Sequence, residues 1–370
     1  MYLSSISLRN IRKHADTKFE FADKLNYIVG GNGVGKTTIL EAIYYICTTK
    51  SCVTSTESEA VRIGADNFSI DGFFTSPIKE SVQIKYAIDD NKKLYILNNK
   101  PINRFSDIIG KFPVVLLSPS DHSITQGYSA DRRKFVDSVI SQASRTYLNI
   151  LIEYNKILKQ RWYLLNRIRE NGSRNNHELE AWNERLISSG TEIIKHRQEF
   201  ILIFQSYVKE SFQKILFGKE EPKIQYYFLE GKHEIKGKEG FRTLLDHRRD
   251  EEIRRATNLV GPHKDDFVFE INGMSLRNFG SQGQHKTFQT VLRFAEYFYL
   301  KEKTGKPPIF LLDDVFGELD AERASAISNY LGEIGQAFIT LTDFSNTTFL
   351  NMNKKNRVIN ISTEGKISYA

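Results

Sequence analysis

Cysteine is scarce in this sequence: Cys47 and Cys52 are the only two in 370 residues. Neither has a second cysteine or a histidine pair at metal-ligand spacing, which argues against a zinc site and for free thiols. No apolar run reaches the roughly 20 residues that cross a bilayer. The N-terminus, MYLSSISLRNIRKH, lacks the charged start and apolar stretch of a signal peptide. These absences predict a cytoplasmic protein without a membrane partner.

The charge balance is mildly positive. Lys and Arg number 52 against 45 Asp and Glu, which gives a formal net charge of +7. Such an excess favours polyanionic partners, nucleic acid among them, but does not identify one.

Apolar periodicity divides the chain into three parts. Residues 1–128 and 216–370 alternate strand-like runs with helices, whereas residues 129–215 repeat apolar residues every three and four positions. We therefore predict an α/β head that is interrupted by a mostly helical insertion. Within the insertion, two long helices of about 25 residues joined by a polar loop at 171–177 predict a helical hairpin. The short apolar stripes favour a packed bundle over a protruding arm.

Residues 30–37, GGNGVGKT, have the spacing of a phosphate-binding P-loop. Glycines allow backbone N–H groups to approach phosphates that a side chain would block. Lys36 would supply charge to the β- and γ-phosphates, Thr37 a hydroxyl to Mg²⁺, and the following helix its N-terminus. A strand-like run before the loop and a helix after it favour an ATP site over a glycine-rich turn with an incidental lysine.

Residues 309–314, IFLLDD, are typical of a Walker B strand. Asp313 is predicted to hold Mg²⁺, and Asp314 to orient or deprotonate the attacking water. A buried strand capped by two solvated acids would be the simpler interpretation if the P-loop were missing.

Residues 281–284, SQGQ, are the third motif; they begin a predicted helix and form a second potential anion site. One nucleotide cannot easily use two distant helix N-termini of the same chain, but a second subunit can supply one of them. A plain N-cap serine is the structural alternative.

The three motifs together are the pattern of ABC-type ATPase heads, and the chain further resembles the RecF family of bacterial recombination mediators. The resemblance is carried by LEAIYYI after the P-loop, LLSPSDHSITQGYSADRRKFVD at 116–137, LVGPHKDDF at 259–267, FGSQGQHKT at 279–287 and LLDDVFGELD at 311–320. It implies a P-loop NTPase of the α/β class with an inserted helical domain.

The resemblance also implies roles for individual residues. The nucleotide contacts would be Gly30, Asn32, Gly33, Gly35, Lys36, Thr37 and Thr38, together with the signature residues Ser281, Gly283 and Gln284 acting across a dimer interface. Asp313 and Asp314 would be the Walker B pair, and Asp320 would lie in the loop that links two nucleotide sites.

Several positions depart from the family pattern. Ser120 stands where the family usually has an acid, Gly317 where it has serine, and Thr49–Cys52 where it has a basic segment. The strand at 338–342 lacks a switch histidine, and it carries Thr340 and Thr342 where the family also tends to have threonine. These departures bear on hydrolysis and DNA contacts more than on ATP binding.

By this resemblance, ATP would drive homodimerisation on DNA and slow hydrolysis would release it, so that a weak DNA-stimulated ATPase acts as a switch. The implied targets are gapped DNA and single-strand/double-strand junctions, in gap repair and stalled-fork processing, with RecR and RecO assisting RecA loading. A transport or motor ATPase head and an SMC-like clamp are the alternatives. The missing histidine disfavours a transport head, and the short insertion disfavours a clamp.

Basic residues are the candidate DNA contacts. They are Arg132, Arg133, Lys134, Arg248, Arg249, Arg254 and Arg255, and a solvated helix face is an equal alternative for each. His263, Lys264 and Asp265 would either contact DNA or brace the signature helix, and bracing is slightly favoured.

Overall fold

A computed structural model describes residues 1–75, 78–171, 177–216, 220–231, 237–318, 320–343, 355–362 and 365–370. The predicted loop at 171–177 falls almost wholly outside these ranges.

Strands and helices are numbered in chain order. The strands are β1 (Tyr2–Ile11), β2 (His14–Glu20), β3 (Leu25–Val29), β4 (Asn67–Thr75), β5 (Glu80–Ala87), β6 (Lys92–Leu97), β7 (Lys100–Pro101), β8 (Val114–Leu117), β9 (Pro222–Tyr227), β10 (Asp266–Ile271), β11 (Met274–Ser275), β12 (Ile309–Leu312), β13 (Ala337–Leu341), β14 (Arg357–Ile361) and β15 (Ile367–Tyr369). The helices are α1 (Lys36–Thr48), α2 (His122–Gln126), α3 (Ser129–Ala143), α4 (Arg145–Asn171), α5 (His177–Leu216), α6 (Gly237–Arg255), α7 (Leu276–Phe279), α8 (Gln282–Thr304) and α9 (Ala321–Leu331). Within the described residues, no helix combines the length and apolarity needed to cross a membrane.

Contacts divide the chain into two compact units. The first contains the described residues of Met1–Asp121, Ser211–Lys219 and Thr290–Ala370, and the second those of His122–Glu210 and Glu220–Gln289. This division differs from the predicted one, because residues 220–289 group with the helical insertion and not with the head. The physical reason is that α3 packs on β10 and α4 packs on α6.

The first unit contains two sheets. One is antiparallel, in the order β2-β1-β4-β5-β6-β7, and the other has the order β15-β14-β3-β13-β12-β8, in which all pairs except β14–β15 are parallel. Every residue of β3, β12 and β13 is buried. Continuous apolar runs are typical of such central parallel strands, whose two faces are both covered.

Helix α1 lies between the two sheets. It contacts β1, β4 and β5 of one sheet and β8 and β13 of the other. Its sequence KTTILEAIYYICT is apolar on nearly all sides, and Ile39, Ile43 and Ile46 are completely buried in the core of the first unit. A helix that buries several faces is held rigidly, and this fixes the loop from which α1 begins.

The helical part of the second unit is a bundle. Helix α4 packs against α3 and α6, and an apolar cluster joins Leu164, Leu165 and Ile168 of α4 to Leu179 of α5 and to Ala256. This arrangement agrees with the favoured bundle and not with an unsupported arm. The predicted pair of helices differs from the structure in two ways. A further helix, α3, precedes the pair, and α5 extends over 40 residues.

A buried arginine links helices α4, α5 and α6 of the bundle. Arg161 of α4 is 1% exposed; its guanidinium forms an ion pair of 2.7 Å with Glu252 of α6 and donates to Asn183 of α5 at 3.0 Å. It also donates to Asn258. Breaking a buried ion pair leaves one charge without compensation in a medium of low polarity.

We expect Arg161→Met to lower the free energy of unfolding by about 3–5 kcal/mol, because it leaves Glu252 buried and unpaired. Arg167→Met, on the same helix, is the matched control: its ion pair with Glu178 is more than half exposed on both sides, so the loss should stay below about 1 kcal/mol. Urea unfolding measures both. Equal losses would contradict the assignment of Arg161 as the link between the helices.

Candidate nucleotide site

Strand order brings the predicted ATP motifs together. Strand β13 lies between β3 and β12 and is parallel to both. The carboxyl ends of parallel strands meet at one edge of a sheet, where open α/β folds bind ligands. The P-loop follows β3, Asp313 follows β12, and Thr340 is the penultimate residue of β13.

Hydroxyl groups join the P-loop to the two aspartates. Thr37 Oγ1 donates to Asp313 Oδ1 at 3.1 Å, and Thr340 Oγ1 donates to the same oxygen at 2.8 Å. Thr340 Oγ1 also accepts the Asp314 N–H at 2.9 Å, while Asp314 has a φ of 53°. The fully buried Thr340 therefore fixes both acids. The sequence placed a threonine there but gave no signal of this role.

The P-loop lysine is tied to its own loop. Lys36 Nζ donates to the carbonyl oxygens of Gly30 at 2.6 Å and Gly31 at 2.9 Å. Gly35, just before α1, has a φ of 102°, and a Cβ there would lie 2.7 Å from His14 Nε2. Only glycine fits this position, both for its backbone conformation and for the close approach of His14.

Burial strongly affects the charged groups of this site. It raises the pKa of Asp313, and hydrogen bonds from Thr340 and Thr37 oppose that rise. It also lowers the pKa of Lys36, which Asp314 and Asp313 oppose. Desolvated charges of both signs are suited to a ligand that is itself a polyanion with a divalent cation.

The oxygen atoms of Thr37 and Asp313 fit a magnesium ion. Mg²⁺ in nucleotide sites takes oxygen ligands, usually one or two protein groups together with phosphate and water. The two atoms are hydrogen-bonded at the mouth of the cavity next to the P-loop.

A cavity of about 500 Å³ opens beside the P-loop. The predicted site residues that line it are Asn32, Gly33, Gly35, Lys36, Thr37, Thr38, Asp313 and Asp314. Gly30 contributes its carbonyl oxygen to Lys36. Ser281, Gly283 and Gln284 belong to the second unit.

Six further lining residues were missed by the motifs. They are Arg12, Lys13, Glu59, Val61, Ile63 and Thr340. Arg12 follows β1 in a turn with a φ of 47°, and its guanidinium forms two hydrogen bonds, 2.7 and 3.0 Å long, with the buried Glu41 of α1. No local pattern marks these residues, because the contacts that position them, such as the Arg12–Glu41 pair and the bridge between Ile11 and Val61, join segments that lie apart in sequence.

The signature residues form a capping box at the start of α8. Ser281 Oγ accepts the N–H of Gln284 at 3.2 Å, and Gln284 Oε1 accepts the N–H of Ser281 at 2.9 Å. The Gln284 amide also donates to Glu220 at 2.8 Å, and the Gly283 carbonyl accepts from Thr287. The N-cap interpretation is thus fulfilled, while nucleotide contact by these residues stays a prediction.

The structure shows which groups surround the positions that depart from the family pattern. Ser120 Oγ bonds Ser118 Oγ at 2.8 Å, while Asp121 keeps a bidentate ion pair with Arg293. A Cβ on Gly317 would lie 3.5 Å from Asp314 Oδ1, so the family's serine would stand beside that carboxylate. Ser51 donates to Glu41, the partner of Arg12. Asp320 caps α9 by accepting the Arg323 N–H at 2.9 Å.

In the described residues, the hydrogen bonds of His263 and Asp265 go to residues outside the signature helix, so the bracing of that helix stays a prediction. His263 Nδ1 lies 2.7 Å from the Tyr154 hydroxyl and Nε2 lies 3.2 Å from the Asn258 carbonyl oxygen. Asp265 is completely buried and pairs with Arg197 at 3.1 Å. Lys264, between them, is exposed.

Most of the basic candidates have acidic partners. Arg132 is buried in a bidentate pair with Asp266. The α6 arginines Arg248 and Arg255 pair with Glu251, and Arg249 pairs with Glu180. Lys134 and Arg254 are exposed.

Comparison with known proteins agrees with this geometry. The family model described as the RecF/RecN/SMC N terminal domain matches residues 2–368. The DNA replication and repair protein RecF of Chloroherpeton thalassium is 37% identical over 93% of this chain and 95% of its own. RecF of Salinibacter ruber is 36% identical over 92% and 85%.

Solved structures place the fold in the same group. A structure described as the recombination mediator protein RecF-ATPrS in the RecFOR pathway superimposes with a TM-score of 0.89 at 30% identity, covering 100% of this chain and 98% of that one. The Pyrococcus furiosus Smc head matches in fold alone, with a TM-score of 0.60 and 16% identity. Fold and site define an ABC-type ATPase head. Within that class, the chain belongs to the RecF family.

We expect Thr340→Val to lower the Mg²⁺ affinity of the ATP site by about 10–100-fold, so that ATP binding needs a higher Mg²⁺ concentration. Residues that orient a metal ligand have effects of that size. The substitution keeps the side-chain shape and removes the hydroxyl shared by Asp313 and the Asp314 N–H. Isothermal titration with ATP at several Mg²⁺ concentrations measures it. Thr304→Val, at the end of α8, is the control, and an unchanged Mg²⁺ dependence in Thr340→Val would refute the role.

His263 predicts a loss of stability in acid. Burial lowers its pKa from the ordinary 6.5 to about 3. As pH falls below 6.5, the unfolded chain takes up the proton first, so the stability present above that pH is lost. Between pH 7 and pH 5 this one residue should cost about 2 kcal/mol.

Unfolding of His263→Asn at the two pH values tests this prediction. The stability gap between the unaltered chain and His263→Asn should narrow by about 2 kcal/mol on acidification, since the variant lacks the titrating group. The exposed His247 provides the control variant His247→Asn, for which the gap should not change. A gap for His263→Asn that is independent of pH would show that His263 does not titrate in this way.

Proposed function

We propose that this chain binds ATP with Mg²⁺ and uses the nucleotide to join two copies of itself on DNA. The observation that carries the proposal is the oxygen of Asp313 shared by the hydroxyls of Thr37 and Thr340. It brings the P-loop and the Walker B acids, which lie far apart in sequence, to one edge of a sheet.

Each residue of the site has a task in this proposal. The N-terminus of α1 and Lys36 bind the phosphates, and Thr37 and Asp313 hold the metal ion, which stabilises the charge that develops on the transferred phosphate. Asp314 orients or deprotonates the attacking water. Because Gly317 leaves Asp314 without the neighbouring serine of the family, we expect hydrolysis to be slow and to serve as a switch.

The signature residues complete the site from a second copy. Ser281 and Gly283 lie at the N-terminus of a 23-residue helix, whose dipole favours an anion at that end. A γ-phosphate bound to one chain would reach this helix end in its partner. ADP lacks that phosphate, so ATP binds the dimer more tightly than the monomers and shifts the equilibrium towards the dimer.

The proposed setting is recombination and repair. The relatives are described as DNA replication and repair proteins, and the related structure as a recombination mediator of the RecFOR pathway. On that basis the chain would bind gapped DNA and single-strand/double-strand junctions, act with RecR and RecO, and assist RecA loading. The net charge of +7 supports contacts with phosphate.

Light scattering coupled to size exclusion tests the switch. Asp314→Asn protein, which should bind but not hydrolyse ATP, is measured without nucleotide, with ADP–Mg²⁺ and with ATP–Mg²⁺. We expect doubling of the mass with ATP alone. Lys36→Met should stay monomeric in all three conditions, while Lys303→Met, which changes an exposed lysine in the last turn of α8, should behave like the parent.

A monomer under all conditions, in protein that binds ATP by titration, would rule out the composite site. A dimer without nucleotide would rule out the switch. DNA affinity measured under the same three conditions should rise with the dimer.

A further inference from the structure

The turn at Pro262–Lys264 carries an exposed cation between a partly buried histidine and a buried carboxylate. His263 is partly buried and Asp265 is completely buried, whereas Lys264 is exposed. In the described part of the chain, no carboxylate forms an ion pair with the Lys264 ammonium and no acceptor takes its hydrogen bonds. The motif that the sequence singled out thus contains a charge that the bracing role does not use.

The first side of the turn is fixed by Tyr154. Its hydroxyl lies 2.7 Å from His263 Nδ1, and a Cβ on Gly261 would lie 2.2 Å from the same hydroxyl. Gly261 has a φ of 135°, a backbone conformation that favours glycine. The Lys264 N–H donates to the Gly261 carbonyl at 2.9 Å and closes the turn.

The second side is fixed by Arg197. Its guanidinium donates to the Pro262 carbonyl at 2.6 Å and to Asp265 Oδ2 at 3.1 Å, and forms a bidentate pair with Asp137. Tyr226 donates to Asp265 as well. These bonds leave the backbone of Lys264 little freedom, so the point from which its flexible side chain extends is fixed.

Charged side chains lie around the turn. Arg133 of α3 donates to the Asp265 carbonyl, and Arg132 pairs with Asp266. Burial, followed by the nearby Arg197, lowers the pKa of Arg133, and three neighbouring carboxylates oppose that fall. The guanidinium of Arg133 therefore lies beside the turn that carries Lys264.

We infer that Lys264, supported by Arg133, contacts a backbone phosphate of bound DNA. The inference deepens the proposed function and rests on it. A flexible lysine carries a compact point charge that suits a phosphate and reads no base.

A nucleic acid fits the turn better than an acidic protein surface does. The cores of protein interfaces are enriched in aromatic residues and depleted in lysine. Here the aromatic neighbours are already hydrogen-bonded, and Tyr154 is buried while Tyr226 is partly buried. A single exposed ammonium on a rigid backbone therefore favours a contact that positions a phosphate chain.

The test is the salt dependence of DNA binding. Duplex DNA with a single-stranded gap is titrated by fluorescence anisotropy at several salt concentrations, with ATP–Mg²⁺, using the unaltered chain, Lys264→Gln, Lys264→Arg and the control Lys303→Gln. For each protomer on the DNA, Lys264→Gln should reduce the slope of log affinity against log salt by about 0.9, the contribution of one phosphate contact to duplex DNA. Lys264→Arg and Lys303→Gln should keep the slope.

The outcomes separate this inference from the proposed function. If the unaltered chain does not bind DNA, the proposed function fails and the inference with it. If it binds and Lys264→Gln keeps the slope of Lys303→Gln, the inference alone is overturned. ATP titration of Lys264→Gln is a second arm, since weaker ATP binding with an unchanged DNA slope would assign the lysine to the nucleotide phosphates. Equal thermal unfolding midpoints for the two glutamine variants confirm that the turn is intact.

Discussion

A single carboxylate oxygen, Asp313 Oδ1, joins the elements on which the candidate site depends. It accepts from Thr37 at the start of α1 and from Thr340 of β13, so the ends of three elements meet at one atom. The parallel order β3-β13-β12 makes this meeting possible, because it aligns the carboxyl ends of the strands. Since Thr340 also holds the Asp314 N–H, the positions of both acids depend on one buried hydroxyl.

Buried charge is used in the same way in both units. In the first unit, burial desolvates both Asp313 and Lys36. In the second, Arg161 and Arg197 each connect several elements. Buried ion pairs contribute little net stability but strongly disfavour arrangements that leave a charge alone. Such pairs therefore select one geometry, which suits a nucleotide site and a turn that carries an exposed cation.

The departures from the family pattern lie next to residues of the candidate nucleotide site and do not change the P-loop or Asp313. Gly317 removes a side chain next to Asp314, and Ser51 replaces a basic segment with a hydroxyl that bonds Glu41. Asp314 lines the P-loop cavity and Glu41 pairs with Arg12, which also lines it, while the P-loop and Asp313 keep the family pattern. Our prediction therefore remains that these departures affect hydrolysis more than ATP binding.

The sequence by itself determined the local elements and the motifs they carry. Continuous apolar runs predicted β3 and β12, and the P-loop spacing predicted the start of α1, because these signals lie within a few residues of one another. Only the tertiary structure decided which residues complete the site, among them Arg12 and Thr340, and which compact unit holds the signature motif. Those outcomes depend on strand pairing and on buried ion pairs between residues far apart in sequence. A local pattern contains no information about such partners, since the contact energy appears only when the chain has folded.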